Sequence, residues 1–285
     1  MCYYLKTLMV RENEMDNFTL RENESDNSFV IKDDIENILA KVDKDIFNSK
    51  IFELNMGNVI FKPECNENMY GSLLNKIIEV SKKNRFEHLS IKISTTNKKL
   101  LHICEQKGFL VMDTLVTYVF DVTKKHLPEI KHNCIIRDFQ ESDRVILLDI
   151  AKNSFVIDRY HSDPNLSSEK ADIYYETWIN NSFDGYADNI VVAVIDDMPV
   201  GFTTCNLPKK GDINKSGTLV LSAVSEKSRG KRVYTSMIYE GVKWLSDKSN
   251  EVKVGTQIDN YPVQKTWNNL GFYLQSSNYV LHKKI

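Results

Sequence analysis

The stretch from Gly217 to Gly271 constrains this chain more than any other. It opens with the apolar run Gly217-Thr218-Leu219-Val220-Leu221-Ser222-Ala223-Val224 and passes through the polar loop Ser225-Glu226-Lys227-Ser228-Arg229-Gly230-Lys231-Arg232. An amphipathic run then reaches Trp244 and Leu245. An apolar run, a tight loop with one glycine and a helical period describe a strand feeding a helix through a backbone turn. Such a turn leaves amide N–H groups unpaired at a helix N-terminus, which is an anion site. The loop has neither a Gly-x-Gly-x-x-Gly pattern nor a Gly-Lys-Ser/Thr ending. Downstream lie Val252 to Gln257, then Asp259-Asn260-Tyr261-Pro262, a short helix, and Asn269-Leu270-Gly271-Phe272. Asn260 is a natural N-cap, Pro262 suits a first turn, and Gly271 suits the C′ position.

The loop resembles the acyl-CoA loop of the GNAT superfamily of N-acyltransferases, Gln/Arg-x-x-Gly-x-Gly/Ala after a strand. Lys227, Gly230 and Arg232 stand at the three specified positions, and the central glycine alone matches strictly. The block from Val252 to Phe272 resembles the strand, helix and Leu-Gly-Phe turn that complete that family's cofactor site. The resemblance implies a strand at Leu221, Ser222, Ala223 and Val224 that parts from its neighbour and offers backbone groups to pantetheine. It further implies that the backbone of Gly230, Lys231, Arg232, Val233, Tyr234 and Thr235 binds the pyrophosphate, with charge from Arg229, Lys231 and Arg232, and that Asn260 and Trp267 belong to the same site.

A second copy of the downstream unit lies earlier. His88-Leu89-Ser90-Ile91-Lys92-Ile93 leads to Asn97, a helix, Gly108-Phe109 and an alternating strand, and Asn97 to Gly108 is the same step as Asn260 to Gly271. Ahead of its first helix, Tyr70 to Lys82, the segment Phe61-Lys62-Pro63-Glu64-Cys65-Asn66-Glu67-Asn68 has no glycine where a phosphate turn needs one. This copy is expected to shape an acceptor pocket while the later copy holds the cofactor. The segment Val42-Asp43-Lys44-Asp45-Ile46-Phe47 to Leu54 resembles the opening of the nucleotide-linked amino-sugar acyltransferases typified by TDP-fucosamine acetyltransferase, with Val42 and Asn48 as departures. Phe155, Arg159, Tyr160, Tyr175 and Trp178 resemble a segment that edges the acceptor site in the same family. On that resemblance Arg159, Tyr160, His161 and Tyr175 are the expected substrate contacts.

The expected fold is therefore an α/β mixed sheet of GNAT type. Residues 1–41 are expected to form a polar, peripheral lead-in, and they contain the near-repeat Arg11 to Asn17 and Arg21 to Asn27. A smaller, degenerate GNAT-like domain is expected over 42–127. A complete acyl-CoA-binding domain is expected over 128–285, in the order β-α-α-β-β-β-α-β-α-β-β. Within it Cys134 to Arg137 reads as a strand, Ser142 to Phe155 as a helix with Ser142 as N-cap, Ser168 to Asn181 as a helix, and Ile190 to Cys205 as a hairpin.

Composition narrows the function classes. A net charge of -2 gives no general attraction to nucleic acid. The five cysteines are scattered with no Cys-x-x-Cys pair, which suits a reducing compartment, and the six histidines show no metal-ligand spacing. No apolar run approaches the roughly 20 residues of a membrane helix, and the start lacks a signal-peptide core. A cytoplasmic protein without metal, nucleic acid or membrane as partner is expected, with a homodimer left open.

Acyl transfer to an amine requires a neutral amine, a stabilised oxyanion and a proton for the leaving thiolate. The family's sulfur-protonating tyrosine is replaced here by Trp267, whose indole is no acid near neutral pH. Tyr234, Tyr239 and Tyr273 are candidates to replace it, although thiolate departure with the help of water is the preferred reading. Asp158, His161 and Glu176 are the candidate bases. The expected function is transfer of an acetyl or larger acyl group, such as 3-hydroxybutanoyl, from acyl-CoA to the amine of a dTDP-linked amino-dideoxy sugar for a surface glycan such as O-antigen. The alternatives are a non-catalytic acyl-CoA-binding regulator and an acetyltransferase for a protein or small-molecule amine.

Overall fold

The computed structural model describes residues 19–23, 28–63, 65–155 and 158–285. The first half contributes β1 (Thr19–Asn23), β2 (Ser28–Lys32), β3 (Ile38–Lys44), α1 (Ile46–Phe52), β4 (Met56–Phe61), α2 (Tyr70–Lys83), β5 (His88–Ser94), α3 (Lys98–Gln106) and β6 (Leu110–Asp121). The second contributes β7 (Ile135–Asp138), α4 (Arg144–Lys152), α5 (Ser168–Asn181), β8 (Asn189–Ile195), β9 (Met198–Asn206), β10 (Ser216–Val224), α6 (Val233–Ser246), β11 (Glu251–Gln257), α7 (Tyr261–Asn269) and β12 (Tyr273–Lys284).

Most of the near-repeat at 11–27 lies outside the described residues. The lead-in nevertheless ends well before residue 41. Strand β2 pairs with β3, and its alternation buries Phe29 and Ile31 at 1% exposure while Val30 between them is half-buried. The final part of the chain is also simpler than expected, because residues 273–284 form one long strand rather than two. Ser142 is not the cap of α4. A short 3₁₀ turn precedes that helix, and the Asp143 carboxylate accepts from the Gln140 N–H at 2.9 Å.

All strands join one sheet in the order β1-β2-β3-β4-β5-β12-β6-β11-β10-β9-β8-β7. Strands β4 and β5 run parallel, as do β10 and β11, and these two pairs flank a centre in which the last strand of each half has crossed over. Strand β12, from the second half, pairs with β5 and β6, while β6, from the first, pairs with β12 and β11. The backbone groups that would form open sheet edges are thereby used to join the halves. The shared step is visible in the caps, since Gly108 and Gly271 both adopt positive φ, at 79° and 96°.

Alternation along the strands sends apolar side chains to helices on both faces. Leu89, Ile91 and Ile93 of β5 pack with Leu73, Leu74 and Ile77 of α2 and with Leu100, Leu101 and Cys104 of α3. Val252 and Val254 of β11 pack with Ile238, Val242 and Leu245 of α6 and with Trp267 of α7. A third cluster, Phe52, Met56, Tyr160, Ala171, Tyr174 and Tyr175, joins α1 and β4 to α5 and the loop before it. Lys170 adds a polar clasp there, donating to the Phe52 carbonyl at 3.0 Å and to Glu53 at 2.8 Å. The other face of β5 and β12 carries His88, Ser90, Lys92 and His282 together with the buried Val280.

Candidate functional site

Strands β10 and β11 are paired only from Ser216↔Glu251 to Leu219↔Val254. Beyond that point β10 continues along β9, from Ser222↔Thr203 to Val224↔Gly201, and β11 continues along β6, from Gly255↔Thr117 to Gln257↔Leu115. A register shift between Leu219 and Ser222 bends β10 away. The two strands thus open into a slot whose facing edges carry unspent backbone donors and acceptors. Leu221, Ala223 and Val224 are buried on β10, and Ser222 exchanges a 2.6 Å hydrogen bond with Thr203 of β9.

The slot leads to the glycine loop. Gly230 sits at φ 75° with no atom within 4 Å of the place a Cβ would take, and Arg232, also left-handed at φ 63°, is the N-cap of α6 without a side-chain capping bond. The first amides of α6 are therefore free of any side-chain acceptor from the cap position. Arg229, Lys231 and Arg232 are exposed around them, and among the described residues none lies within ion-pair distance of a carboxylate. Val233 is buried beneath, and Thr235 is half-buried in the first turn. In the first half the corresponding turn is self-satisfied, because the Asn66 side chain accepts from the Asn68 N–H at 2.9 Å. The Asn66 cap of the short turn before α2 has no counterpart before α6.

Trp267 is 2% exposed and packs against Tyr118, with ring centroids 5.4 Å apart. Its indole N–H donates to the Tyr234 hydroxyl at 3.1 Å. Burial holds the Tyr234 phenol well above its ordinary pKa, against the opposing bonds from Trp267 and Ser222. With the indole as donor, the Tyr234 proton is free to point elsewhere, and Ser222 of the slot strand lies within its reach. Asn260 holds the N-cap position of α7, but its side chain donates to the Thr256 hydroxyl at 3.0 Å instead of capping the helix. Tyr239 is half-buried against His132, and Tyr273 is 43% exposed on β12.

The candidate bases are already engaged or remote. Asp158 accepts from the Tyr160 N–H at 2.7 Å and bonds His161 Nδ1 at 2.5 Å, while His161 Nε2 meets Asp172 at 3.2 Å. Burial alone would lower the His161 pKa, but Asp158 and Asp172 overcome it and raise it. Glu176 is exposed on α5. Tyr175 is buried and stacks on Phe155 at 4.8 Å. Arg159 donates to the Tyr160 hydroxyl at 2.6 Å and lies over that ring.

Several residues at this junction carry no sequence signal of their own. His88 of β5 and His282 of β12 both bond the same Asp163 oxygen, at 2.8 and 2.9 Å, and pin the 158–166 loop to the sheet. Burial would raise the Asp163 carboxyl, but the bonds from His282 and His88 hold it well below the usual carboxylate range. Burial pushes His282 down to about 4, against the pull of Asp163. Lys92 is lowered by desolvation and then by Arg159, and Asp113, which accepts from the Thr114 N–H at 2.6 Å, is raised chiefly by burial. Asp113, Val280 and Lys92 form one register row across β6, β12 and β5, which leads from the slot toward the histidines.

The His282 shift has a measurable consequence. Its folded pKa of about 4 lies below the unfolded value near 6.5, so the unfolded chain binds the extra proton first. The His282 contribution to stability is complete above about pH 6.5 and is lost as pH falls toward 4, amounting to roughly 3 kcal/mol. His282→Asn keeps an N–H donor for Asp163 and should flatten that part of the pH dependence in urea denaturation. An unchanged slope would show that the histidine does not titrate between the folded and unfolded states.

The chain matches no protein-family profile. It is similar to the spore coat polysaccharide biosynthesis protein SpsD of Bacillus subtilis (strain 168), at 26% identity over 144 residues, which is 50% of this chain and 48% of that protein. The match thus spans about half the length of that relative. Among solved structures, a GCN5-related N-acetyltransferase from Sphaerobacter thermophilus superposes with a TM-score of 0.63 at 14% identity, over 90% of this chain and 80% of that one. A tandem GNAT protein from the clavulanic acid biosynthesis pathway gives 0.60 at 11% identity, over 94% and 83%. A GCN5-related glucosamine N-acetyltransferase region within a fungal multi-domain β-N-acetylglucosaminidase gives 0.61 at 13% identity, over 90% of this chain and 33% of that one.

Proposed function

We propose that this chain, which has the GNAT fold, is an N-acyltransferase that moves an acyl group from acyl-CoA to the amine of a nucleotide-linked amino-dideoxy sugar, with dTDP as the nucleotide. The observation that carries the first part is the slot between β10 and β11 together with the uncapped, cation-ringed start of α6. A parted strand pair offers backbone bonds to an amide-bearing arm such as pantetheine, and the loop offers amides and three cations to a pyrophosphate. The sugar reading is supported by the similarity to SpsD and by the polar junction formed by Arg159, Tyr160, His282 and their neighbours. Residues 42–127 shape the acceptor side and 128–285 the acyl-CoA side in this reading.

Acyl-CoA supplies an activated thioester whose carbonyl carbon is open to attack by an amine. The chain's part is to align the two reactants by direct contact in a ternary complex and to leave slot amides available to a developing oxyanion. Tyr234 is a protonated phenol beside Ser222 of the slot strand, and Trp267 positions it. The preferred route for the thiolate remains departure with the help of water, so Trp267→Phe should keep turnover within about tenfold, or about 1.4 kcal/mol. Loss of several orders of magnitude, with CoA affinity and stability kept, would contradict that route. Calorimetric titration should find a single CoA per chain, because the first-half turn is capped by Asn66; a stoichiometry of two would refute the assignment of unequal roles.

A further inference from the structure

Acyl transfer to an amine needs a group that takes the proton the nitrogen loses, and the buried carboxylates of the 158–166 loop are occupied. Asp158 bonds His161 and the Tyr160 N–H, and Asp163 holds His88 and His282. Asp113 is differently placed. Its Oδ1 accepts from the Thr114 N–H at 2.6 Å, while its Oδ2 is buried with no partner. Among the described residues, no cation lies within ion-pair distance of either oxygen. The side chain as a whole is half-buried, and the terminal torsion of an aspartate is roughly two-fold, so a half-turn exchanges the two oxygens. A buried acceptor without a donor is costly, and an N–H brought by a ligand relieves it.

The backbone fixes where that carboxylate stands. Strand β11 ends its pairing at Gln257↔Leu115, and the Ile258 N–H then donates to the Thr114 carbonyl at 2.8 Å. Asp113 is the next residue of β6, at the tip of the slot strand. Alternation puts it on the face opposite Val116 and Tyr118, which pack with Ile238 of α6 and Trp267 of α7. Helix α6 therefore lies on one side of the sheet and the Asp113 side chain on the other. Its row continues through Val280 to Lys92, on the face where the 158–166 loop docks through His88 and His282. An acyl-CoA arm entering the slot from α6 and an amine arriving beside the 158–166 loop approach the tip of β11 from opposite sides.

The charges around Asp113 suit proton transfer. Burial raises its pKa, the Thr114 bond opposes, the Asp259 carboxylate beyond β11 raises it further, and Gln257 and Arg159 oppose. Lys92 stands two strands away in the same row. A carboxylate that holds a proton more tightly than usual is the stronger acceptor of one from an amine.

We infer that Asp113 is the catalytic base of the acyl transfer, taking the proton that the acceptor nitrogen loses as it bonds the acyl carbon. The C–N bond forms, the C–S bond breaks, the thiolate leaves with the electron pair, and water supplies the proton that the sulfur gains. The inference rests on the N-acyltransferase reading and is independent of which amine is the acceptor.

Asp113→Asn keeps the shape of the side chain and an acceptor oxygen for the Thr114 N–H. Thiol release from acetyl-CoA is followed against pH with a dTDP-linked amino-dideoxy sugar, with spermidine and with a lysine peptide, and the comparison is made on whichever amine supports release. Wild-type kcat should be level above about pH 7 and fall on the acid side as Asp113 is protonated. In Asp113→Asn kcat should drop at least about a hundredfold at about pH 7, and the deficit should shrink about tenfold by about pH 9, where the amine loses its proton without help. Acetyl-CoA affinity by calorimetry and the thermal midpoint should not change. A variant kcat within about threefold of wild type overturns the assignment. A large loss with the wild-type pH profile retained also overturns it, because a structural residue would give that result. Absence of release by the wild-type chain on all three amines strikes the transferase reading itself, and the base falls with the reaction it serves.

Discussion

Gly230→Val should abolish measurable CoA binding, with affinity falling at least about a hundredfold, or roughly 2.7 kcal/mol, while the chain stays folded. Two effects act together. The residue holds φ at 75°, where a β-branched side chain is strained by about 1–3 kcal/mol, so the loop would relax away from its present path. The open space beyond the glycine is the approach to the first amides of α6, and an isopropyl group would fill it. The loop is exposed, so neither effect reaches the core. Calorimetry with circular dichroism on the same sample checks both halves of this expectation. Unchanged CoA affinity in a folded Gly230→Val chain would remove the phosphate role from the loop.

The second large effect concerns the exchanged strands. Fragments 1–127 and 128–285, made separately, should each fail to give a cooperative thermal transition, and mixed they should recover one. Strand β12 sits between β5 and β6, burying Val280 and Leu281 completely, and β6 in turn fills the space between β12 and β11. Each fragment alone therefore lacks the partner for its terminal strand and leaves long, apolar edges open. Size-exclusion chromatography and scanning calorimetry on the separate and mixed fragments read this directly. A monomeric 128–285 fragment with a cooperative transition of its own would show that the exchange is dispensable.

What the sequence made legible was local. The loop around Gly230, the paired steps from Asn97 to Gly108 and from Asn260 to Gly271, and helix α5 from Ser168 to Asn181 are written in neighbouring residues, because caps, turns and helical periods act over a few positions. The strand exchange was not legible, since β6 and β12 have similar alternation and either could pair with β11 or β5. The junction was hidden for a related reason. His88, Asp163 and His282 are separated by 75 and 119 positions, and only the fold brings them to one carboxylate oxygen. Asp158 and His161, named as candidate bases, bond each other, and that charge holds the loop's own shape. Trp267 was legible as a replacement for a tyrosine acid, but its hydrogen bond to Tyr234 depends on the packing of α7 against α6.

Release of free thiol from acetyl-CoA or 3-hydroxybutanoyl-CoA, followed with a dTDP-linked amino-dideoxy sugar and in parallel with a polyamine and a lysine peptide, tests the central claim most directly. The account predicts thiol release that requires the amino sugar, proceeds with equimolar amide formation on it, and disappears in Gly230→Val. Thiol release driven by the peptide or polyamine and not by the sugar would contradict the acceptor assignment. CoA binding with no release on any amine would contradict catalysis itself, leaving a protein that holds acyl-CoA without turning it over.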